Sequence, residues 1–278
     1  MTGTLEVTIL GCGSSGGVPR ADGAWGACDP ADPRNHRSRC SVMVRRLAAE
    51  GEGTGEQTTV IVDASPEFRL QTVAAGTKRL DALLLTHDHA DQCHGIDDIR
   101  AFALVQRRKI DCWMDGATQA ALDRRFGYLF NSESHYPAIA TVRETPTHGT
   151  PWAIEGPSGS IPVTTFDQDH GTMRSLGYRF GKVAYSSDVV DLPDETFAAL
   201  ADLDVWIVDA LRYTPHPTHA HVDLALEWIA KVKPRRAILT NMHIDLDYAE
   251  LAARLPTGVE PAYDGLRFRI EPGGVSRG

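Results

Sequence analysis

ALLLTHDHADQCHG, residues 82–95, sets three histidines and two aspartates directly behind an apolar run. The run Ala82-Leu83-Leu84-Leu85 has the length and composition of a buried strand. His87, His89 and Asp91 occupy alternate positions just past it. If the backbone stays extended there, their side chains share one face; if it turns into a helix, they ring its N-terminus. Imidazole and carboxylate hold zinc- and manganese-type ions, and a hydrolytic centre needs several of them converging with a position left for water. A polar loop after a strand is the plain alternative and suffices for a lone histidine, but not for HxHxD at a strand end.

Other strand-like runs end in the same kind of residue: Asp63 after TTVIV, Asp169 and His170 after a Thr/Phe run, Asp188 after VAYSS, Asp209 after VWIV, and His243 after AILTNM. Ligands gather outside the carboxyl ends of strands in open sheets, so these positions suggest one shared mouth; any one alone would serve as a helix cap. Strands are expected at Leu5 to Leu10, Ser41 to Arg46, Thr58 to Asp63, Ala82 to Thr86, Ile110 to Met114, Ile161 to Phe166, Leu176 to Phe180, Val183 to Ser187, Val205 to Val208 and Ala237 to Thr240. Helices are expected at Pro66 to Ala75, Ile96 to Arg108, Thr118 to Phe130, Asp194 to Ala201, Val222 to Val232 and Tyr248 to Leu255. Clustered strands followed by strand-helix alternation predict an α/β (or α+β) architecture of stacked sheets covered by helices. No linker divides residues 1–278, which read as one domain. Glu50 to Glu56 reads as a hairpin tip, and Asn131 to Pro151 as a long polar connection.

The order of these signals resembles the metallo-β-lactamase fold: THxHxD and HG behind a strand, a lone histidine, SSD at a strand end, and a last strand ending LTxxH. The opening GCGSSGGVPR and the later HPTH are similar to a narrower branch, the cyclic phosphodiesterases related to the enzyme of the carbon-phosphorus lyase pathway that opens phosphoribosyl 1,2-cyclic phosphate. The resemblance covers about Leu5 to Gly265. It implies a four-layer αββα sandwich and two divalent ions, Mn²⁺ or Zn²⁺. It further implies a first ion on His87, His89 and His170, Asp188 bridging to a second, and Asp91 with a histidine of the last strand on that second ion. In such a centre Asp91 is also counted catalytic.

The sequence departs from the pattern twice, both times at the second ion. Gln92 stands where a histidine usually follows the aspartate, and LTNMH puts Asn241 at the usual ligand position with His243 two residues on. Strand residues two apart face the same way, so His243 is expected to replace Asn241. Gln92 offers a carbonyl oxygen or nothing, His94 is a spare, and Asp63 is either an acceptor fixing a metal-bound imidazole or a strand-end cap. The expectation is a tight first site and a weaker second one that tolerates a harder ion. The accessory zinc cluster of the narrower branch lacks its cysteines, since only Cys28 and distant Cys40 stand in that region.

Gly11, Gly13 and Gly16 fit GxGxxG, but the loop after Gly17-Val18-Pro19 denies the helix a dinucleotide fold needs. The alternatives are a substrate loop of Gly13, Ser14 and Ser15 with bared N–H groups, or a plain tight turn. In YTPHPTHAHVD, His219 aligns with the HPTH histidine and so resembles the general acid for the leaving alkoxide; His221 is the near alternative. Arg20, Arg174 and Lys182 are conceivable phosphate contacts that the sequence does not rank.

Bulk properties narrow the partners. A net charge of −9 disfavours large nucleic acids and anionic membranes. Five scattered cysteines without a CxxC pair suit a reducing compartment, and the N-terminal stretch carries no signal-peptide pattern, so a cytoplasmic protein is expected, with a homodimer left open. The expected activity is hydrolysis of a small cyclic phosphate or nucleotide-like diester through a metal-bound hydroxide. The alternatives are another hydrolase of this fold acting on thioesters or lactones, a protein resembling the pyrroloquinoline-quinone biosynthesis B protein, or a degenerate metal and nucleotide sensor.

Overall fold

The computed structural model of the chain describes residues 3–48, 57–132 and 137–271, and the backbone of 274–277. Its strands are β1 (Leu5–Gly11), β2 (Ser41–Arg46), β3 (Thr58–Val62), β4 (Ala82–Leu84), β5 (Ile110–Met114), β6 (Ala140–Glu144), β7 (Pro151–Ile154) and β8 (Ile161–Asp169). They continue as β9 (Arg174–Phe180), β10 (Val183–Ser186), β11 (Val205–Asp209), β12 (Arg236–Thr240), β13 (Val259–Pro261), β14 (Arg267–Glu271) and β15 (Gly274–Arg277). Helices are α1 (Phe68–Ala74), α2 (Ala90–Cys93), α3 (Arg100–Gln106), α4 (Gly116–Phe126), α5 (Asp194–Ala199), α6 (Val222–Val232) and α7 (Tyr248–Arg254).

Two mixed sheets result, one ordered β15-β14-β1-β2-β3-β4-β5-β6 and the other β13-β12-β11-β10-β9-β8-β7. Each contains a parallel run, β3-β4-β5-β6 in the first and β10-β11-β12-β13 in the second. Alternation along the strands explains the layers. Val42, Val44, Val60, Val62, Ala82 and Leu84 join Phe166, Tyr178, Tyr185 and Trp206 in the core between the sheets. The residues between them, Met43, Ile61, Leu83 and Leu85, pack on the other side with Phe68, Ile96, Ile99 and Leu122. Both faces of the central strands are therefore buried, which is why their sequence reads as continuous apolar runs rather than alternating ones. Val222, Ala225, Trp228 and Ile229 of α6 cover the second sheet. The arrangement is the metallo-β-lactamase fold, two mixed sheets flanked by helices.

Some elements differ from the sequence reading. The connection expected from Asn131 to Pro151 contains β6 and the first residue of β7. Strands β13, β14 and β15 were not anticipated, being short or, like RFRIE in β14, alternating charged with apolar residues at a sheet margin. The helix expected over Ile96 to Arg108 divides into a 3₁₀ turn at Ile96–Ile99 and α3, and Arg107 stops it with φ 52°. Residues 50–56, the expected hairpin tip, lie outside the described residues; β2 and β3 on either side pair antiparallel. No helix among the described residues is long and apolar enough to cross a membrane.

Candidate metal centre

Three strands of the parallel runs end in a residue whose backbone turns left-handed: Asp63 after β3 (φ 63°), Asp188 after β10 (φ 55°) and Asn241 after β12 (φ 61°). Aspartate and asparagine tolerate this region better than other side chains, and strained residues of this kind cluster where a site fixes them. The segment after β4 is docked onto the end of β3 by Asp63 N to Leu84 O (2.8 Å), Ala64 N to Gln92 O (2.7 Å) and Gly95 N to Ala64 O (2.8 Å). Gly95 permits that approach, because a Cβ there would lie 1.9 Å from the Ser65 carbonyl oxygen.

His87, His89 and His170 meet in one group, each contributing a ring nitrogen within 4.8 Å of the others. Their ring centroids stand 4.6, 5.0 and 5.1 Å apart. Two tautomers follow from fixed partners. His170 Nδ1 lies 2.7 Å from the Thr218 carbonyl, which only accepts, so Nδ1 carries the proton and Nε2 presents a lone pair 3.3 Å from His89 Nδ1. His87 Nδ1 lies 2.9 Å from Thr86 Oγ1, and that hydroxyl is 3.0 Å from both oxygens of Asp63. With the hydroxyl proton given to Asp63, Thr86 accepts from His87 Nδ1, and His87 Nε2 is again the free nitrogen. That Nε2 is buried and has no hydrogen-bond partner, an expensive condition for a polar atom unless something else binds there. Burial pushes the His87 imidazole down to about 4, so the ring is held neutral as a ligand must be.

A second group joins His170, Asp188 and His219. Asp188 Oδ1 is 4.0 Å from His170 Nε2 and 3.9 Å from His219 Nδ1. Burial alone would raise the Asp188 carboxyl, yet His87, His219 and His170 together outweigh it and hold the group below the usual carboxylate range. Asp91 is raised to about 6 by burial and by the Asp188 charge. Gln92 donates from Nε2 to Asp188 Oδ2 (2.9 Å) and Asp91 Oδ2 (3.3 Å), while its Oε1 is buried without a partner. Asn241 Nδ2 lies 3.2 Å from His219 Nδ1. Gln92 thus faces the two carboxylates, and Asn241 faces His219.

His219 Nδ1 lies 2.9 Å from Asp209 Oδ2. Burial opposes a charge on this ring, but Asp209, by charge and by hydrogen bond, with Asp188 and Asp91, raises it to about 9. His219 therefore sits in the centre itself, where the sequence reading had given it only the part of an acid beside it.

Other expected residues fall elsewhere. His243 is in neither group; its Nε2 contacts the Arg20 guanidinium and its Nδ1 is 2.9 Å from Asp245 Oδ2. The reason is the left-handed turn at Asn241, which ends the extended backbone after Thr240 and cancels the two-residue alternation that would have carried His243 to the same face. His94 is exposed against Phe126 and Arg125. His221 caps α6 by position only, without a side-chain hydrogen bond. Gly13 bridges Arg39 and Met242, Ser14 N donates to Met242 O (3.2 Å), and Ser15 is exposed; no helix follows Gly16. All five cysteines are buried free thiols.

Sequence reasoning missed four supporting residues. Thr86 and Thr218 stand inside THxHxD and HPTH, but the reading of those motifs gave no role to the hydroxyl and the carbonyl that orient the histidines. Asp209, undecided from sequence, is the partner of His219, and its place at the end of VWIV was the available signal. Arg125 at the end of α4 bonds the Asp88 carbonyl (2.7 Å) and its carboxylate, clamping the residue between His87 and His89.

Two stacked mixed sheets with imidazoles and carboxylates converging at strand ends define a metal-binding protein of metallohydrolase type. A model of the β-lactamase superfamily domain matches residues 58–244, and the chain belongs to the metallo-β-lactamase superfamily. The chain is similar to a solved diphosphatase of the PhnP family, with 31% identity, TM-score 0.81, and 97% and 98% of the two chains covered. It shares its fold with zinc-bound PqqB from Methylobacterium extorquens at 17% identity and TM-score 0.68, over 94% of this chain and 99% of that one. An octanoyltransferase from Porphyromonas gingivalis is 27% identical over 275 residues, 98% of this chain, which spans 53% of that protein's length.

Proposed function

We propose that the protein is a metal-dependent phosphodiesterase acting on small cyclic phosphates or nucleotide-like diesters. The observation that carries this reading is the buried, partnerless Nε2 of His87 inside a group of three converging imidazoles. His87, His89 and His170 would hold one divalent ion, and Asp188 with Asp91 would turn toward a second. A bound ion supplies Lewis acidity at a phosphoryl oxygen and lowers the pKa of water from 15.7 to about 7.

The chain's own residues do the rest. Thr86 and Thr218 hold two ring tautomers with a nitrogen free. Asp209 accepts a hydrogen bond from Nδ1–H of His219 and helps raise the ring to about 9, so the imidazolium also carries a proton on Nε2, and that proton passes to the departing alkoxide oxygen, leaving the ring neutral. The relative at 31% identity supports phosphorus chemistry, and its name, a diphosphatase, favours phosphoanhydride cleavage as a second reading.

Turnover of bis-p-nitrophenyl phosphate, a cyclic phosphoribose and a thioester, each with Mn²⁺, Zn²⁺ and a chelator, tests the proposal. Diester hydrolysis abolished by the chelator is expected; thioester hydrolysis alone would replace it. His219→Ala should depress turnover of alkyl leaving groups far more than of nitrophenyl ones, and an equal loss would remove His219 from the acid role.

A further inference from the structure

We infer that Arg20 and Arg212, with Arg37 beneath them, form an anion subsite around His243 at the lip of the metal centre, suited to a second phosphate group of the substrate. Among the described residues Arg20, Arg37 and Arg212 form no ion pair, and the carboxylate nearby, Asp245, stands against His243 rather than against a guanidinium. Arg20 contacts His243 Nε2. Arg37, buried, bonds the His243 carbonyl (3.4 Å) and Asn35 Oδ1 (3.1 Å), and its Nε has no partner. Among the described residues, Arg212 donates to the carbonyls of Thr214 (3.1 Å) and Pro215 (2.8 Å) alone. The other two cations that the sequence offered as phosphate contacts are engaged elsewhere, Arg174 with Asp167 and Lys182 with Asp202. In a chain of net charge −9, three guanidiniums without an ion-pair partner among the described residues, near a single carboxylate held by His243, point to an anion.

The backbone binds the cluster into one wall. His243 N donates to Leu211 O (2.9 Å), directly before Arg212, and Ser14 N donates to Met242 O (3.2 Å), bringing the glycine-rich turn alongside. Arg20 lies across that turn, its Cγ and Nε 3.5 Å from where a Cβ on Gly16 would stand. Arg20 can only donate, so His243 Nε2 accepts from it, while Asp245 Oδ2 stands 2.9 Å from Nδ1. One of five guanidinium N–H donors is spent in this way, and the planar fork that remains fits a phosphate. The wall continues to the centre through His216, whose ring stands 5.1 Å from His219, itself 4.8 Å from His170.

Reading the anion as part of a substrate rests on the proposed phosphodiesterase; the subsite does not. It is tested by calorimetric titration of inorganic pyrophosphate into the full-length, metal-free chain at low and moderate salt. Saturable, salt-sensitive binding at one site is expected. Arg20→Ala should weaken it at least about tenfold, Arg212→Ala less, and Arg20→Lys should fall between, since a point charge survives without the fork. Binding absent from the wild type, or within twofold of it in Arg20→Ala at unchanged Tm, overturns the subsite. If Arg20→Ala does not fold, Arg20→Lys and Arg212→Ala decide by the same criterion. Pyrophosphate binding by a chain that hydrolyses no phosphate ester would sink the proposed activity and leave the subsite standing.

Discussion

The two sides of the centre are built from different materials. On one, three imidazoles converge, and two of them are held from behind: His87 by the Thr86 hydroxyl, itself bonded to Asp63, and His170 by the Thr218 carbonyl, which can only accept. On the other, Asp188 and Asp91 face the neutral amide of Gln92, which donates where a ligand would present a lone pair, and a second amide, Asn241, stands beside His219. A lone pair held in place costs a cation little to meet, whereas an amide must be turned away first. The comparison therefore predicts unequal sites, the imidazole side tight and the carboxylate side loose and more tolerant of hard ions.

The strongest way to break it is His87→Ala. Loss of the buried free nitrogen should abolish retention of an ion through dialysis and lower kcat/KM by more than the roughly 10–100-fold that an outer partner costs. Elemental analysis and turnover of bis-p-nitrophenyl phosphate measure both, and an ion retained at full stoichiometry would place the tight site elsewhere. The double change Gln92→His with Asn241→His attacks the other side by replacing amides with imidazoles. The second binding step in a Mn²⁺ titration should tighten by about tenfold or more, toward what an outer-partner change is worth. An unchanged step would mean that the carboxylates, not the amides, set the difference.

Thr86→Val sharpens the comparison within the tight side. It keeps the shape and removes the hydroxyl that links His87 to Asp63, so the first ion should bind about 10–100-fold more weakly while Thr86→Ser restores it. Equal affinity in the valine variant would show that packing alone orients the ring.

Much of this was legible in the chain and some was not, for physical reasons. HDHAD behind ALLL and SSD behind VAY are contiguous patterns whose strand-end position follows from local periodicity, so the meeting of His87, His89, His170 and Asp188 could be anticipated. The two central strands betrayed themselves by apolar runs buried on both faces, while β6 and β14, half exposed and charged, carried little signal. His243 was misplaced because a single left-handed residue at Asn241 breaks the alternation on which the inference depended, and backbone sign is not written in residue type. Arg125, 37 residues from the aspartate it clamps, is a contact that only the fold creates.

Burial by itself does not explain why Asp188 is held ionised, and a buried carboxylate without imidazoles provides the contrast. Asp264 accepts from Ser38 N (2.7 Å), Ser38 Oγ (2.6 Å) and Cys12 N (3.1 Å), yet burial outweighs these and raises it from the ordinary 3.8 to about 6. The folded state thus prefers the protonated acid. Its contribution to stability is fully present below about pH 4 and is lost as pH rises through about 6, a difference of about 3 kcal/mol. Asp264→Asn cannot ionise, so denaturant unfolding of the metal-free variant should be flatter than wild type between about pH 4 and 6 by that order, although less stable at acid pH through a lost acceptor. Parallel pH profiles for the two proteins would show that Asp264 stays ionised as Asp188 does, and that imidazoles are not what separates them.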